Sequence, residues 1–372
     1  MSGGSFVKVT IIARLRATDF GKRLWPSVPL IDKNTAILWE PCSRNHGEVV
    51  PGYAKILLDL GYRVVVLMTP DRLDEGLFSR FEHPRLVLSD LSQGQISKFV
   101  RTPAAHQAAV VVVTTVGKLP HASDLTVDIK SVFGRSAPPP LVMVEHDAQA
   151  KIDAGSWTHN IATLRALDYR GATSTVINPH YFGDVRITPK SSGKTIFLMI
   201  GAARDKRRNQ NVVYDAVRNA VTAGRTNFEI RIIGKKGTHP IPPAIAPYVK
   251  EFGRLSFADM YAQIEECDFI LTAFQAANPD HTPYRTVKTT GSFQLCYGFQ
   301  KPCIVHKDFA RGTYINADNS LFYADDADLA RAMQAAILMD AKAYHHMQNA
   351  MARDADALYR LSVDNMQGLI DG

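Results

Sequence analysis

The chain has 372 residues, a formal net charge of +7, 46% hydrophobic and 21% charged content, which is the composition of a soluble globular protein long enough for about two domains. No apolar run reaches the ~18 residues of a membrane span, and the opening MSGGSFVKVTIIARLRATDF lacks the apolar segment and cleavage site of a secretory signal, so a cytoplasmic location is expected. Cys42, Cys267, Cys296 and Cys303 are scattered without C-x-x-C spacing; they suggest neither a disulfide framework nor a zinc site and read as core or near-core thiols.

In chain order, residues 1–33 form an extension that fits no regular pattern. Short apolar runs bounded by turn residues then predict strands at Ala36 to Trp39, Arg63 to Met68, Arg85 to Ser89, Ala109 to Thr114 and Leu141 to Glu145. After the first of these comes EPCSRNHGEVVPGY, where Tyr53, Ile56, Leu57 and Leu60 fall at i, i+3, i+4 and i+7. Pro51 suits the first turn and Gly61 an αL stop, which predicts a helix opening near Glu48. The fifth strand ends in Glu145, His146 and Asp147, at the carboxyl edge where sites gather in parallel α/β sheets.

The segment from Asn178 to Lys194 is rich in Pro, Gly and Ser and reads as an interdomain linker. Beyond it, strands are expected at Thr195 to Ile200, Phe228 to Ile233, Asp268 to Thr272, Pro302 to Val305 and Leu321 to Tyr323. Helices are expected behind Ser256, with Asp259 as capping-box partner, and at Leu329 to Ile337, capped by Asp326. Two runs of alternating strands and helices imply two α/β domains with largely parallel sheets: residues 1–185, residues 186–345, and a C-terminal helix over 346–372 that returns toward the first domain.

One corner of the second run stands out. The strand TIFLMI leads through Gly201 into Arg204, Lys206, Arg207 and Arg208, and then into a helix marked by Val212, Val213, Ala216, Val217, Ala220 and Val221. A helix N-terminus at the carboxyl end of a strand offers free N–H groups and a positive dipole end, so added cations there suit an anion. This cluster contains no aromatic residue, so no nucleic-acid partner is expected. Neither WEPCSRNHGE nor IGAARDKR gives G-x-G-x-x-G, which leaves a nicotinamide dehydrogenase without support.

The ordered segments FLMIGAARDKRRNQNVVYDAV, FEIRIIGKKG, VKEFGRLSFADMYAQIEECDFIL, GSFQLCYGFQKPCIV and NSLFYADDADLARAMQAAI, between Thr195 and Asp340, resemble the donor-nucleotide domain of GT-B fold glycosyltransferases. The resemblance implies two Rossmann-like domains facing each other across a cleft. It implies transfer of a sugar, of hexosyltransferase type, from a nucleotide-sugar donor to a glycan or glycolipid acceptor, in the cytoplasm or peripherally at the inner face of the membrane. Alternatives are a nucleotide-sugar 2-epimerase of the same fold and a non-catalytic nucleotide-binding protein.

In such enzymes the donor diphosphate is held by the loop after the domain's first strand, here Gly201, Arg204, Lys206 and Arg208, and by an opposing helix start, here Thr289, Thr290, Gly291 and Ser292. The loop after the first strand of the other domain reaches into the cleft on the acceptor side, and Gly47 would allow its tight turn. His46, Glu48, His146 and Asp147 are the candidates to take the acceptor's proton. The family's paired glutamates are missing: between Phe269 and Lys307 the only acidic residue is Asp280. Their ribose-binding task would fall to Ser292, Gln294 or another polar group, and the stereochemical outcome stays open. No D-x-D motif stands beside a strand, and the acidic clusters near Asp326 and Asp354 lie in helix-start or surface contexts. No metal or other cofactor is therefore expected, and the basic loop is expected to neutralise the diphosphate.

Overall fold

Runs of Val and Ile suit parallel sheets covered on both faces, and in the computed structural model, which describes residues 29–41, 46–118, 139–158, 161–201, 208–235 and 239–372, they form two such sheets. The first contains β1 (Thr35–Trp39), β2 (Arg63–Leu67), β3 (Leu86–Leu88), β4 (Val110–Val113), β5 (Leu141–Val144), β6 (Ile161–Thr163) and β7 (Thr175–Val176), in the order β3-β2-β1-β4-β5-β6-β7. The second contains β8 (Thr195–Ile200), β9 (Phe228–Ile233), β10 (Val249–Gly253), β11 (Phe269–Leu271), β12 (Cys303–His306) and β13 (Leu321–Tyr323), in the order β10-β9-β8-β11-β12-β13. Every strand pair is parallel. These are two Rossmann-like domains, and the strand order of each reverses beside its first strand, which opens a crevice at the carboxyl ends.

The helices used below are α1 (Val50–Asp59), α2 (Gln93–Phe99), α3 (Gln149–Asp153), α4 (Gln210–Thr222), α5 (Phe257–Glu266), α6 (Gly291–Phe299), α7 (Asp326–Leu338) and α8 (Ala341–Asp371). The ten strands expected from apolar runs are all present. Strands β6, β7 and β10 were not expected: the first two are only three and two residues long, and β10 is an edge strand with a mostly unburied pattern, so none carries a sustained apolar run. Asp325, rather than Asp326, caps α7, its carboxylate accepting from the Asp328 N–H at 2.8 Å. Asp354 is engaged by the side-chain amides of Asn316 and Asn319. Cys267, Cys296 and Cys303 are buried thiols; Cys42 lies outside the described residues.

The segment 178–194 contains no helix or strand, yet it is firmly packed. Phe182 is buried among second-domain residues, and Gly298 of α6 passes so close that an added Cβ would lie 2.4 Å from the His180 carbonyl oxygen. Helix α8 joins both domains. Tyr344 and Met351 enter second-domain clusters, whereas Met366 enters the first-domain core. Its Ser362 hydroxyl accepts from the Asn178 N–H at 2.9 Å, and Asn365 donates to the Val176 carbonyl at 2.8 Å.

Candidate functional site

The first domain presents its residues from the carboxyl ends of β1, β4 and β5. Glu40, immediately after β1, is buried, and its Oε2 accepts from the hydroxyls of Thr114 (2.5 Å) and Thr115 (2.9 Å) at the end of β4. The chain then turns at His46, whose φ of 67° is left-handed, into the short helical turn Gly47–Val49 that precedes α1. This turn brings the His46 ring to 4.2 Å from the ring of His146, centroid to centroid.

Each residue of the acidic-histidine cluster after β5 has its own task. Glu145 is buried; Oε1 accepts from the N–H groups of His146 (2.9 Å) and Asp147 (3.2 Å), and Oε2 faces Lys151 Nζ of α3 at 2.7 Å. It organises the turn. His146 Nε2 lies 2.8 Å from the Thr114 carbonyl oxygen; a carbonyl only accepts, so Nε2 carries the proton and Nδ1 holds the lone pair. Burial, and then the adjacent His46, pull the His146 pKa down to about 4. The ring is therefore neutral at pH 7. Asp147 reaches across to the second domain: Lys288 Nζ lies 2.7 Å from its Oδ2, the two residues form an antiparallel bridge, and the next N–H, of Ala148, donates to the Val287 carbonyl at 3.2 Å.

In the second domain, Gly201 ends β8 with φ 120°, a backbone that side-chain-bearing residues avoid. Arg204 and Lys206 lie outside the described residues. Arg208 is 7% exposed, and its guanidinium stands 4.8 Å from the Phe274 ring. Its Nη2 donates to Thr290 Oγ1 at 3.1 Å and Ser292 Oγ at 3.0 Å. Thr290 is also the N-cap of α6, accepting from the Ser292 N–H at 3.3 Å, while Asn209 caps α4. Two helix starts therefore flank one buried cation. A Cβ at the exposed Gly291 would lie 3.6 Å from Glu48 Oε1 of the other domain, so the two halves of the site meet at the start of α6.

No family model matches the sequence, and no curated protein sequence matches it. Solved structures do. The Anabaena protein HepE (Alr3699), solved in complex with UDP and glucose, aligns with a TM-score of 0.57 at 14% identity over 91% of this chain and 100% of its own. AviGT4, a glycosyltransferase involved in avilamycin A biosynthesis, aligns with a TM-score of 0.55 at 13% identity over 92% and 99%. Sucrose-phosphate synthase of Thermosynechococcus elongatus aligns with a TM-score of 0.52 at 11% identity over 90% and 98%. The chain has the GT-B fold.

His46 meets His146, Glu48 faces Gly291, Asp147 meets Lys288, and Gly201 and Arg208 lie with Thr290 and Ser292 at the start of α6. Thr289 and Gln294 line a separate apolar cavity. Asp280 is exposed in the turn Pro279–His281. Sequence reasoning missed Glu40 and Lys288. Glu40 was legible as an acidic residue directly ending the first apolar run, whereas Lys288 carries no local signal because its partner lies 141 positions away.

Proposed function

We propose that this protein is a glycosyltransferase that moves a sugar from a nucleoside-diphosphate donor to a hydroxyl of a glycan or glycolipid acceptor, without a metal or other cofactor. The observation that carries this reading is Arg208: a buried guanidinium aligned by Thr290 and Ser292 at the start of α6, opposite Glu48. When the bond from the sugar's anomeric carbon to the diphosphate breaks, negative charge grows on the leaving oxygens. A fixed cation and a helix N-terminus aimed at that charge stabilise it. HepE, of the same fold, has been solved with UDP-glucose, which supports a nucleotide-sugar as the donor class.

As the acceptor oxygen bonds to the anomeric carbon, its proton needs a base. Glu48 and His46 lead among the first-domain candidates. Asp147 is engaged by Lys288, and His146, with its pKa near 4, is a weak base better suited to orienting a hydroxyl. No described helix is long and apolar enough to cross a membrane; a lipid-linked acceptor would be met at the membrane's inner face.

The test is incubation with a panel of UDP-, GDP- and dTDP-sugars plus candidate acceptors. Transfer or donor hydrolysis supports the proposal, epimerised donor assigns a 2-epimerase, and binding without turnover assigns a nucleotide-binding protein. Arg208→Ala is expected to weaken UDP or GDP binding roughly tenfold or more, since hydrogen bonds to charged groups contribute ~1.5–3 kcal/mol. Unchanged affinity for both nucleotides removes the assignment of Arg208 to the diphosphate.

A further inference from the structure

Residues 284–288 lead from the short helix Pro283–Thr286 toward the start of α6. Like any helix end, this one leaves its last carbonyls without partners of its own. The first domain supplies them. Arg165, just beyond β6, donates from Nη1 to the Tyr284 carbonyl (2.7 Å) and from Nη2 to the Arg285 carbonyl (2.8 Å). The Asp168 N–H donates to the Thr286 carbonyl at 3.1 Å, and the Ala148 N–H donates to the Val287 carbonyl at 3.2 Å. Successive carbonyls of residues 284–287 are thus all held by the first domain, and Lys288 closes the row on Asp147. These residues form a strap between the domains.

Arg165 is its main fastening. The side chain is buried, and it donates further to the carbonyls of Ala166 (3.3 Å) and Arg311. Among the described residues its hydrogen-bond partners are all main-chain carbonyls. Burial pulls its pKa down to about 10, so it stays charged at pH 7, and a cation suits the negative end of a helix. Its planar fork spans several carbonyls at once, which the point charge of a lysine does not.

The strap also bears on the corner that contains Arg208. The Tyr284 ring lies 5.0 Å from the Phe274 ring, and the Arg208 guanidinium stands 4.8 Å from that same ring. Beyond Lys288 the chain passes directly into Thr289, Thr290, Gly291 and Ser292, and the Thr290 and Ser292 hydroxyls accept from Arg208. The strap therefore reaches this corner twice, through a ring contact and through the chain itself.

We propose that Arg165 is a positioning residue: through the strap it makes the alignment of Thr290, Ser292 and Arg208 depend on the first domain's hold. The proposal rests on the reading of that corner as the diphosphate site. When the hold is released, only a fraction of molecules keeps the corner aligned, and apparent affinity for the diphosphate falls by that fraction. Linkage makes the effect reciprocal, so a diphosphate bound at the corner tightens the first domain's hold on the strap.

The test uses the full chain with UDP, read by calorimetric titration and amide hydrogen exchange. In the wild type, saturating UDP is expected to slow exchange several-fold at Ala148 and Asp168, which belong to the opposite domain from the corner. Arg165→Lys, which keeps the charge, is expected to weaken UDP about threefold, and Arg165→Met roughly tenfold. Without UDP, exchange at the Ser292 N–H, which donates to Thr290 Oγ1, should quicken in the same order. Unchanged exchange at Ala148 and Asp168 when UDP binds overturns the proposal, and this measurement needs no variant. Weakened UDP binding with Ser292 exchange unchanged in both variants assigns Arg165 to folding alone and overturns it as well. If the wild type binds neither UDP nor GDP, the diphosphate reading fails instead. Quicker Ser292 exchange in the variants then still supports the hold of Arg165 on the start of α6, and unchanged exchange removes it.

Discussion

His146 and His180 both titrate near pH 4 instead of near 6.5, burial being the largest cause in each case. The unfolded chain takes up protons at these positions as pH falls below about 6.5, while the folded chain resists until about 4. Stability is therefore fully present above the unfolded value and is lost on acidification through that window. Urea unfolding between pH 7.5 and 4.5 should show this slope, and His180→Gln should make it shallower. Glu48 has a different expected signature. Glu48→Gln should depress kcat by ~10²- to 10⁴-fold, the usual contribution of a general base, with UDP affinity nearly unchanged; near-normal kcat would transfer the role to His46.

Helix α6 shows how one element serves three surfaces. Its start holds Thr290 and Ser292 against Arg208, Phe293 and Tyr297 border an apolar cavity, and its last turn presses Gly298 against the linker. Gly298→Ala places a methyl group 2.4 Å from the His180 carbonyl oxygen, and because that neighbour is backbone, relief requires movement of the linker. Overpacking of this kind costs ~1–3 kcal/mol, and a lowered urea midpoint at unchanged m-value should report it. The start of α6 was legible in the sequence from its Thr-Thr-Gly-Ser run. The division of its faces was not, because Phe293, Gln294 and Leu295 look alike until packing assigns each a neighbour.

At the scale of the whole molecule, the domains are tied by Asp147 to Lys288, by Arg165 to the carbonyls of Tyr284 and Arg285, and by α8. The Asp147–Lys288 pair is partly solvated, so it contributes little to global stability; its place is at the rim of the cleft. Lys288→Ala should change unfolding free energy by less than about 1 kcal/mol while speeding amide exchange at Ala148, whose N–H bonds the Val287 carbonyl. Unchanged exchange would show that the clasp does not depend on this pair. The sequence by itself determined the ten apolar strands, the α/β class and the basic strand-to-helix corner, because short buried runs, caps and turn residues act over a few positions. Only the tertiary structure decided that Asp147 bridges to Lys288 of the second domain and that Glu48 meets the start of α6. Those outcomes depend on groups brought together from opposite domains, and the energy of burying a charge or an amide is set by neighbours that no local pattern names.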